Sequence, residues 1–413
     1  MTRSLNVYLH GQKSGVLSED RQGQLWFQYE ANAKLPLSVR IPVRAEPYDH
    51  QYADPFFDNL TPEDAALQII SKKFRISDSN TFSVLDKIGG DCAGAVSLYE
   101  GNIPDTSAGG EPVRFSENEI ARIIDELPDN PLLTGMTDAP RLSLAGAQSK
   151  FAVCKIEGGY YRSDDNHPTT HIVKIAHMRY PNLPENELFC MRLAKNILGT
   201  VDARLCEAAG RKYLEIERYD RAWDDGRIRR IHQEDFCQVL GVPAKRKYQN
   251  DGGPKIRDCY NAILKYSSQA AADANKFAYQ VVFNYLIGNT DAHAKNFSLL
   301  HSGGRVLLSP AYDLLSAEVY PEKDISREIA MTINGKGKYD AIGKKDFLEF
   351  YEQLGINPTN AMRLAKGKFS RIVQVAQSIR DELNGDRLSC SEVYDAIIGI
   401  IKRRAERLFY TAG

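Results

Sequence analysis

Gly288-Asn289-Thr290-Asp291-Ala292-His293-Ala294-Lys295-Asn296-Phe297-Ser298, followed by Ser309-Pro310-Ala311-Tyr312-Asp313, is the stretch on which the reading of this chain turns. An aspartate, an asparagine five positions later and a second aspartate after a short hairpin-like segment are the groups that phosphoryl transfer uses. Asp291 is the candidate base that accepts the proton of an attacking hydroxyl. Asn296 and Asp313 carry hard oxygens of the kind that hold Mg2+ across the phosphates of ATP. Asp and Asn also cap turns in ordinary loops, so these residues need support from the rest of the chain.

That support lies upstream. Phe151 to Ile156 and Tyr160 to Arg162 flank Glu157-Gly158-Gly159 as a hairpin would, and Thr170 to Ile175 reads as a third strand with Lys174 inside it. A lysine buried on a strand needs a partner, and Glu187, at the start of the amphipathic segment Leu188 to Leu198, can supply it. Strand, turn, strand, strand, helix, strand is the order of a kinase small lobe. Lys174 then holds nucleotide phosphates while Glu187 orients it.

Arg141 to Lys150 stands where a loop over the phosphates belongs. It matches neither GxxxxGK[ST] nor GxGxxG, yet a positive φ at Gly146 would turn the amides of Ala147 and Gln148, and Lys150 beside them, towards phosphate oxygens. Tyr213 to Arg221 reads as a strand leading into a connector between lobes, with Glu217 and Tyr219 as nucleotide-binding candidates through the backbone. From His232 the pattern turns helical, and Phe277, Val281, Val282, Tyr285 and Leu286 recur at helical spacing just before Asp291. Lys295 joins Asp291 and Asn296 as a catalytic candidate that neutralises the transferring group, or else faces solvent. His293 has no second histidine or cysteine at ligand spacing near it, so it is a loop-ordering residue beside the nucleotide rather than a zinc ligand.

Working outward, Leu5 to about Val43 alternates with turn signals at Gly11, Gly15 and Gly23, which predicts short antiparallel strands. Thr61-Pro62-Glu63-Asp64 and Ser116-Glu117-Asn118-Glu119 read as helix starts. Prolines and glycines gather between Leu127 and Asp138. The expected division is a β-rich N-terminal α/β domain over 1–130, a small lobe over 131–221 and a mostly α-helical large lobe over 222–413. The fold class is α+β, two-lobed and kinase-like, with that domain added.

The 413 residues allow several cores, and a net charge of −1 with 26% charged residues predicts no strong nucleic-acid affinity for the chain as a whole. Seven cysteines without a CxxC pair read as reduced structural thiols. No signal-peptide pattern or membrane span is evident, so a soluble cytoplasmic protein is expected. The basic runs Ala244 to Lys255 and Lys402-Arg403-Arg404 with Arg407 read as solvated surface, or as contacts for an acidic partner or a DNA backbone.

Ser143-Leu-Ala-Gly-Ala-Gln-Ser-Lys150, His232-Gln-Glu-Asp235, Tyr248-Gln-Asn-Asp-Gly-Gly-Pro254, the Asp291 stretch and Pro55-Phe-Phe-Asp-Asn-Leu-Thr-Pro-Glu63 together resemble the HipA-type serine/threonine kinase toxins over nearly the whole chain. The resemblance implies a bacterial toxin neutralised by a HipB-like helix-turn-helix antitoxin, which contacts operator DNA. It implies ATP and Mg2+ as cofactors and an aminoacyl-tRNA synthetase of glutamyl type as the protein substrate. By the same resemblance Asp291 is the base, Asn296 and Asp313 bind Mg2+, Lys174 holds the α and β phosphates, and Ser143 is the autophosphorylated serine that shuts the kinase off. Asp291 lacks a preceding His-Arg pair and Asp313 is followed by Leu314, a departure from general kinases that does not support ordinary activation-loop regulation. The segment His177 to Asn186 is expected to be a mobile, substrate-facing loop. Two rivals share these residues: a small-molecule phosphotransferase of the aminoglycoside type, which needs an acidic pocket, and a catalytically silent co-repressor.

Overall fold

Leu5, Val7 and Leu9 point one way along β1 (Arg3–Leu9), and the alternation continues through β2 (Gln12–Glu19) and β3 (Leu25–Tyr29), where Phe27 is buried between exposed Trp26 and Gln28. A sheet with one apolar face must be covered, and α1 (His50–Asp58), capped by Asp49, covers it with Phe56 and Phe57. The computed structural model describes residues 3–103, 112–133, 144, 149–164, 167–177, 179–323 and 325–410. Ser143, Ala147 and Gln148 lie outside the described residues.

α2 (Asp64–Phe74) and α3 (Thr81–Ile88) follow, and β4 (Val96–Tyr99) joins the antiparallel sheet in the order β3-β2-β1-β4. The expected strands stop at Tyr29; only the Ser38–Ile41 bridge continues the pattern towards Val43. α2 begins later than the Thr61-Pro62 pair predicts, because the Thr61 hydroxyl donates to the Asp58 carbonyl at 2.7 Å and so closes the turn after α1.

The next helix corrects the expected boundary. α4 (Glu117–Glu126) has the predicted Ser116–Glu119 capping box, but Ile120, Ile123 and Ile124 pack on Phe151, Val153, Val173 and Tyr213 of the second sheet. It therefore covers the small lobe, and the Phe115 amide donates to the Tyr160 carbonyl at 2.8 Å. That second sheet contains β5 (Lys150–Ile156), β6 (Gly159–Tyr161) and β7 (His171–Ile175), then, beyond α5 (Leu183–Ile197), β8 (Ala203–Ala208) and β9 (Arg211–Glu217). Its order is β6-β5-β7-β9-β8, with every pair antiparallel. α5 starts at Leu183, ahead of the predicted Leu188, with Pro184 in its first turn where no amide partner is needed. Leu183 to Asn186 is thus helix rather than mobile loop, and the Asn186 side chain is tied to the backbone of Ser316 at 2.9 and 2.8 Å.

In the large lobe, β10 (Arg221–Asp224) and β11 (Arg227–Arg230) form a hairpin. β12 (His232–Asp235) is a strand where helix was expected, because it pairs with a hairpin remote in sequence, β13 (Ser298–Ser302) with β14 (Arg305–Leu308). α6 (Phe236–Leu240) and α7 (Ile256–Tyr266) lead to α8 (Ala270–Ile287), which carries the predicted apolar positions, with Phe277, Val282, Tyr285 and Leu286 fully buried. A small ribbon of β15 (Glu328–Ile333) and β16 (Lys336–Lys338) precedes α9 (Lys344–Gln353), α10 (Pro358–Phe369), α11 (Ile372–Asn384) and α12 (Val393–Ala405). The cysteines are free, and no helix among the described residues is long and apolar enough to cross a membrane.

Candidate active site

A cavity of about 1190 Å³ opens between the small-lobe sheet and the large lobe. Lys150, Lys174, Glu217, Tyr219, Asp291, His293, Lys295, Asn296 and Asp313 all line it. Glu187 stands behind Lys174 and is fully buried.

Each side chain is placed by its element. Lys174 lies on β7, and its Nζ donates to Glu187 Oε1 and to Asp313 Oδ1, both at 2.6 Å. Burial works against the ammonium, but the Asp313 and Glu187 charges outweigh it and keep Lys174 protonated. Lys150 on β5 is the cross-strand partner of Lys174. Like charges directly opposite each other repel, and burial together with the Lys174 charge pulls Lys150 down to about 8. Two lysines forced side by side into a cleft make a site that gains from a polyanion.

On the other wall, α8 ends at Gly288, in the left-handed region at φ 73°, and hands the chain to Asn289. Asn289 Nδ2 donates to Asn284 Oδ1 at 2.9 Å, and its carbonyl accepts from the Tyr339 hydroxyl at 2.7 Å. The loop that bears Asp291 is therefore anchored in the large-lobe core. Asp291 faces the open cavity, and desolvation inside the cleft pushes its carboxyl up to about 6, against the Tyr248 hydroxyl that donates to Oδ1 at 2.8 Å. Asn296 Nδ2 donates to Asp313 Oδ2 at 2.9 Å, so these two side chains meet across the β13–β14 hairpin. Asp313 is held at φ 55°, in the left-handed region that aspartate enters more readily than most residues. Burial opposes its ionisation, but Lys174 and Lys150 outweigh it and hold its carboxyl far below the usual range.

Glu217, at the end of β9, and Tyr219, in the connector that follows, line the cavity, and the Tyr219 hydroxyl donates to Gln233. His293 is buried and packs edge-on against Tyr248 at 5.2 Å. Its Nδ1 has no hydrogen-bond partner among the described residues. Lys295 is buried, which removes the solvent-facing alternative, and its Nζ donates to Asp235 Oδ2 at 2.9 Å and to Asn59 Oδ1 at 2.7 Å.

With the geometry in view, a model of the HipA-like C-terminal domain matches residues 142–380 and one of the HipA N-terminal domain matches residues 5–99. The chain belongs to the HipA family. It is 37% identical over 97% of its length to the putative kinase Y4mE of Sinorhizobium fredii, covering 98% of that protein. It is 30% identical over 92% of its length to the serine/threonine-protein kinase toxin HipA of Shewanella oneidensis, covering 88% of it. The solved structure of Shewanella oneidensis HipA with HipB and operator DNA shares the fold, with a TM-score of 0.83 over 99% of this chain and 100% of that one at 24% identity.

Within this HipA-family site, composition misled on one loop. Ala244 to Lys255 was expected to be solvated, yet Lys247 is buried against Glu63, and Tyr248 reaches Asp291. The one sign of this in the sequence is an aromatic residue beside the Gly252-Gly253 pair. Gly252, at φ 82°, ends the turn that begins after Tyr248, and Gln249 pins the loop to Thr332 with bonds of 2.9 Å in each direction. A Cβ on Gly253 would stand 2.1 Å from the Arg246 carbonyl and 2.6 Å from that of Tyr248. Gly253→Ala must therefore shift Tyr248, and transfer is expected to fall on the order of tenfold to a hundredfold with folding retained. Steady-state kinetics beside a circular-dichroism melt checks this, and wild-type rates would remove the loop from the site.

Proposed function

We propose that this HipA-family chain is a Mg-ATP-dependent protein serine/threonine kinase that acts as a growth-inhibiting toxin. The observation that carries the reading is Lys174, poised between Glu187 and Asp313 at 2.6 Å and facing the cavity that holds Asp291. The residues fit the cofactors: Lys150 and Lys174, cross-strand neighbours that line the cavity, can face phosphate oxygens, and the Asn296 and Asp313 side chains that meet at 2.9 Å offer hard oxygens. Mg2+, when bound, supplies charge neutralisation on the phosphates. Lys174 would orient those phosphates, Asn296 and Asp313 would hold the metal, and Asp291 would take the proton from the acceptor hydroxyl. Glu217 and Tyr219 present the connector to the adenine.

In this reading the chain is cytoplasmic in a bacterium, is neutralised by a HipB-like antitoxin through which it meets operator DNA, and phosphorylates an aminoacyl-tRNA synthetase. Ser143 is the autophosphorylation site. A dianion there repels ATP phosphates, so Ser143→Glu is expected to weaken nucleotide affinity by roughly tenfold or more in calorimetry; unchanged affinity sinks the autoinhibition reading. Asp64, Asp251 and Glu328 also line the cavity, which is the feature a cationic small-molecule acceptor would need. Incubation with Mg-ATP followed by phosphosite mapping separates the two. Phosphate on Ser143, absent from Asp291→Ala, supports the protein kinase; a chain that carries no phosphate but modifies a cationic small molecule favours the rival.

A further inference from the structure

The segment between α1 and α2 belongs to the N-terminal domain, yet its side chains end at the catalytic wall of the large lobe. Asn59 accepts from Lys295 through its backbone carbonyl at 3.0 Å and through Oδ1 at 2.7 Å. Glu63, at the start of α2, accepts from Lys247 through Oε2, and its Oε1 stands 3.7 Å from Lys295 Nζ. Glu63, Lys247 and Lys295 are all buried. Each lysine directly precedes a residue that touches the chemistry. Lys247 precedes Tyr248, which donates to Asp291 at 2.8 Å, and Lys295 precedes Asn296, which donates to Asp313 at 2.9 Å.

We propose that Glu63 is a positioning residue for phosphoryl transfer, supplied by the N-terminal domain, which anchors Lys247 and Lys295 and so fixes Tyr248 against Asp291 and Asn296 against Asp313. One buried carboxylate between two lysines gives both loops a common reference point, whereas a lysine alone on either loop would move towards the cavity water. Lys295 retains Asp235 as a second partner at 2.9 Å, while Glu63 is the only carboxylate among the described residues within salt-bridge distance of Lys247. The Lys247–Tyr248 branch therefore depends most on Glu63. The N-terminal domain is then part of the catalytic apparatus and not an appended module.

This inference rests on the kinase reading, and the test keeps the two apart. The full chain is given Mg-ATP, and the rate of γ-phosphate incorporation into the chain is measured together with the stoichiometry and affinity of ATP binding. If the wild type incorporates no phosphate, the kinase reading fails before Glu63 is in question. With an active wild type, Glu63→Gln is expected to bind one ATP per chain with affinity within about twofold, yet to transfer at least tenfold more slowly. Tyr248→Phe is expected to slow transfer as well, and the double variant to be no slower than Glu63→Gln alone, because both act on one path. Wild-type transfer by Glu63→Gln, or losses that multiply in the double variant, would overturn the proposal. Should Glu63→Gln fail to fold, Lys247→Met breaks the same link from the large lobe. Combined with Tyr248→Phe it must show the same non-multiplying losses, and multiplying losses overturn the proposal equally.

Discussion

Replacing Asp291 with alanine is expected to slow phosphoryl transfer by roughly 10²- to 10⁴-fold, the range a positioned general base contributes, while leaving ATP affinity nearly unchanged. The separation follows from the geometry. In the proposed reading the phosphate side is Lys174 with its partners Glu187 and Asp313, and Asp291 bonds to none of these; its described side-chain partner is Tyr248. The same carboxylate predicts a pH profile. Desolvation holds its carboxyl up at about 6, with Asp313 and Glu63 adding to the rise and Tyr248 and Lys247 opposing it. A base works only when ionised, so the rate is present above that value and falls about tenfold per pH unit below it. Tyr248→Phe deletes a donor that favours the carboxylate and should move this acid limb to higher pH. Single-turnover rates over pH 5 to 8 (about three units), with calorimetry at the plateau, read both effects. Transfer by Asp291→Ala within tenfold of wild type removes the residue from this role.

That the candidate residues would gather in one cavity was legible because they break the rules of their own segments. Lys174 is a cation inside an apolar strand, and the Asp291 loop crowds polar residues directly behind a helix whose apolar spacing is regular. Such local contradictions are visible without a partner in view. What escaped was set by contacts distant along the chain. Lys295 and its partner Asn59 are separated by 236 positions, and Lys247 and Glu63 by 184, so the sequence left Lys295 between a catalytic and a solvent-facing role, read Lys247 as surface, and could name the partner of neither. β12 was taken for helix because its period is too short to read alone; its strand form depends on pairing with β13, dozens of residues later. α4 carries a strong capping signal, but its side of the domain boundary depends on which sheet its isoleucines meet. Helix starts slipped for a local reason, as at Thr61, where a hydroxyl had two possible backbone partners and took the earlier one.

The largest stability effect should come from the junction between the N-terminal domain and the connector after β9, where Arg221→Met is expected to cost roughly 3–5 kcal/mol, as for a buried ion pair that loses one partner. The Arg221 guanidinium donates to Asp91 Oδ1 at 2.8 Å, to the Gly94 carbonyl at 2.9 Å and to the Thr169 carbonyl at 2.9 Å. Beside it, Arg218 holds Asp220 at 2.9 and 2.7 Å, and the Gly94 amide donates to Asp220 at 2.7 Å. These groups are buried and join residues 91–94 of the N-terminal domain to the connector that follows Glu217. Burial alone would raise both carboxyls, but Arg230, Arg221 and Arg218 outweigh it at Asp91, which lies far below the usual range, and Arg218 and Arg221 hold Asp220 at about 2. Both folded values are depressed, so the stabilisation is complete above the ordinary carboxylate range near pH 4 and is lost as pH falls towards about 2. Urea unfolding at neutral pH measures the cost. Removing Asp91 as well, in Arg221→Met with Asp91→Leu, takes away the stranded charge and should recover a large part of it. A single variant within about 1 kcal/mol of wild type would mean that water enters this junction and solvates the charges. In that case the N-terminal domain would be held on the connector by its apolar contacts, and the Asn59–Glu63 segment would have to keep its register against the catalytic loops without help from this network.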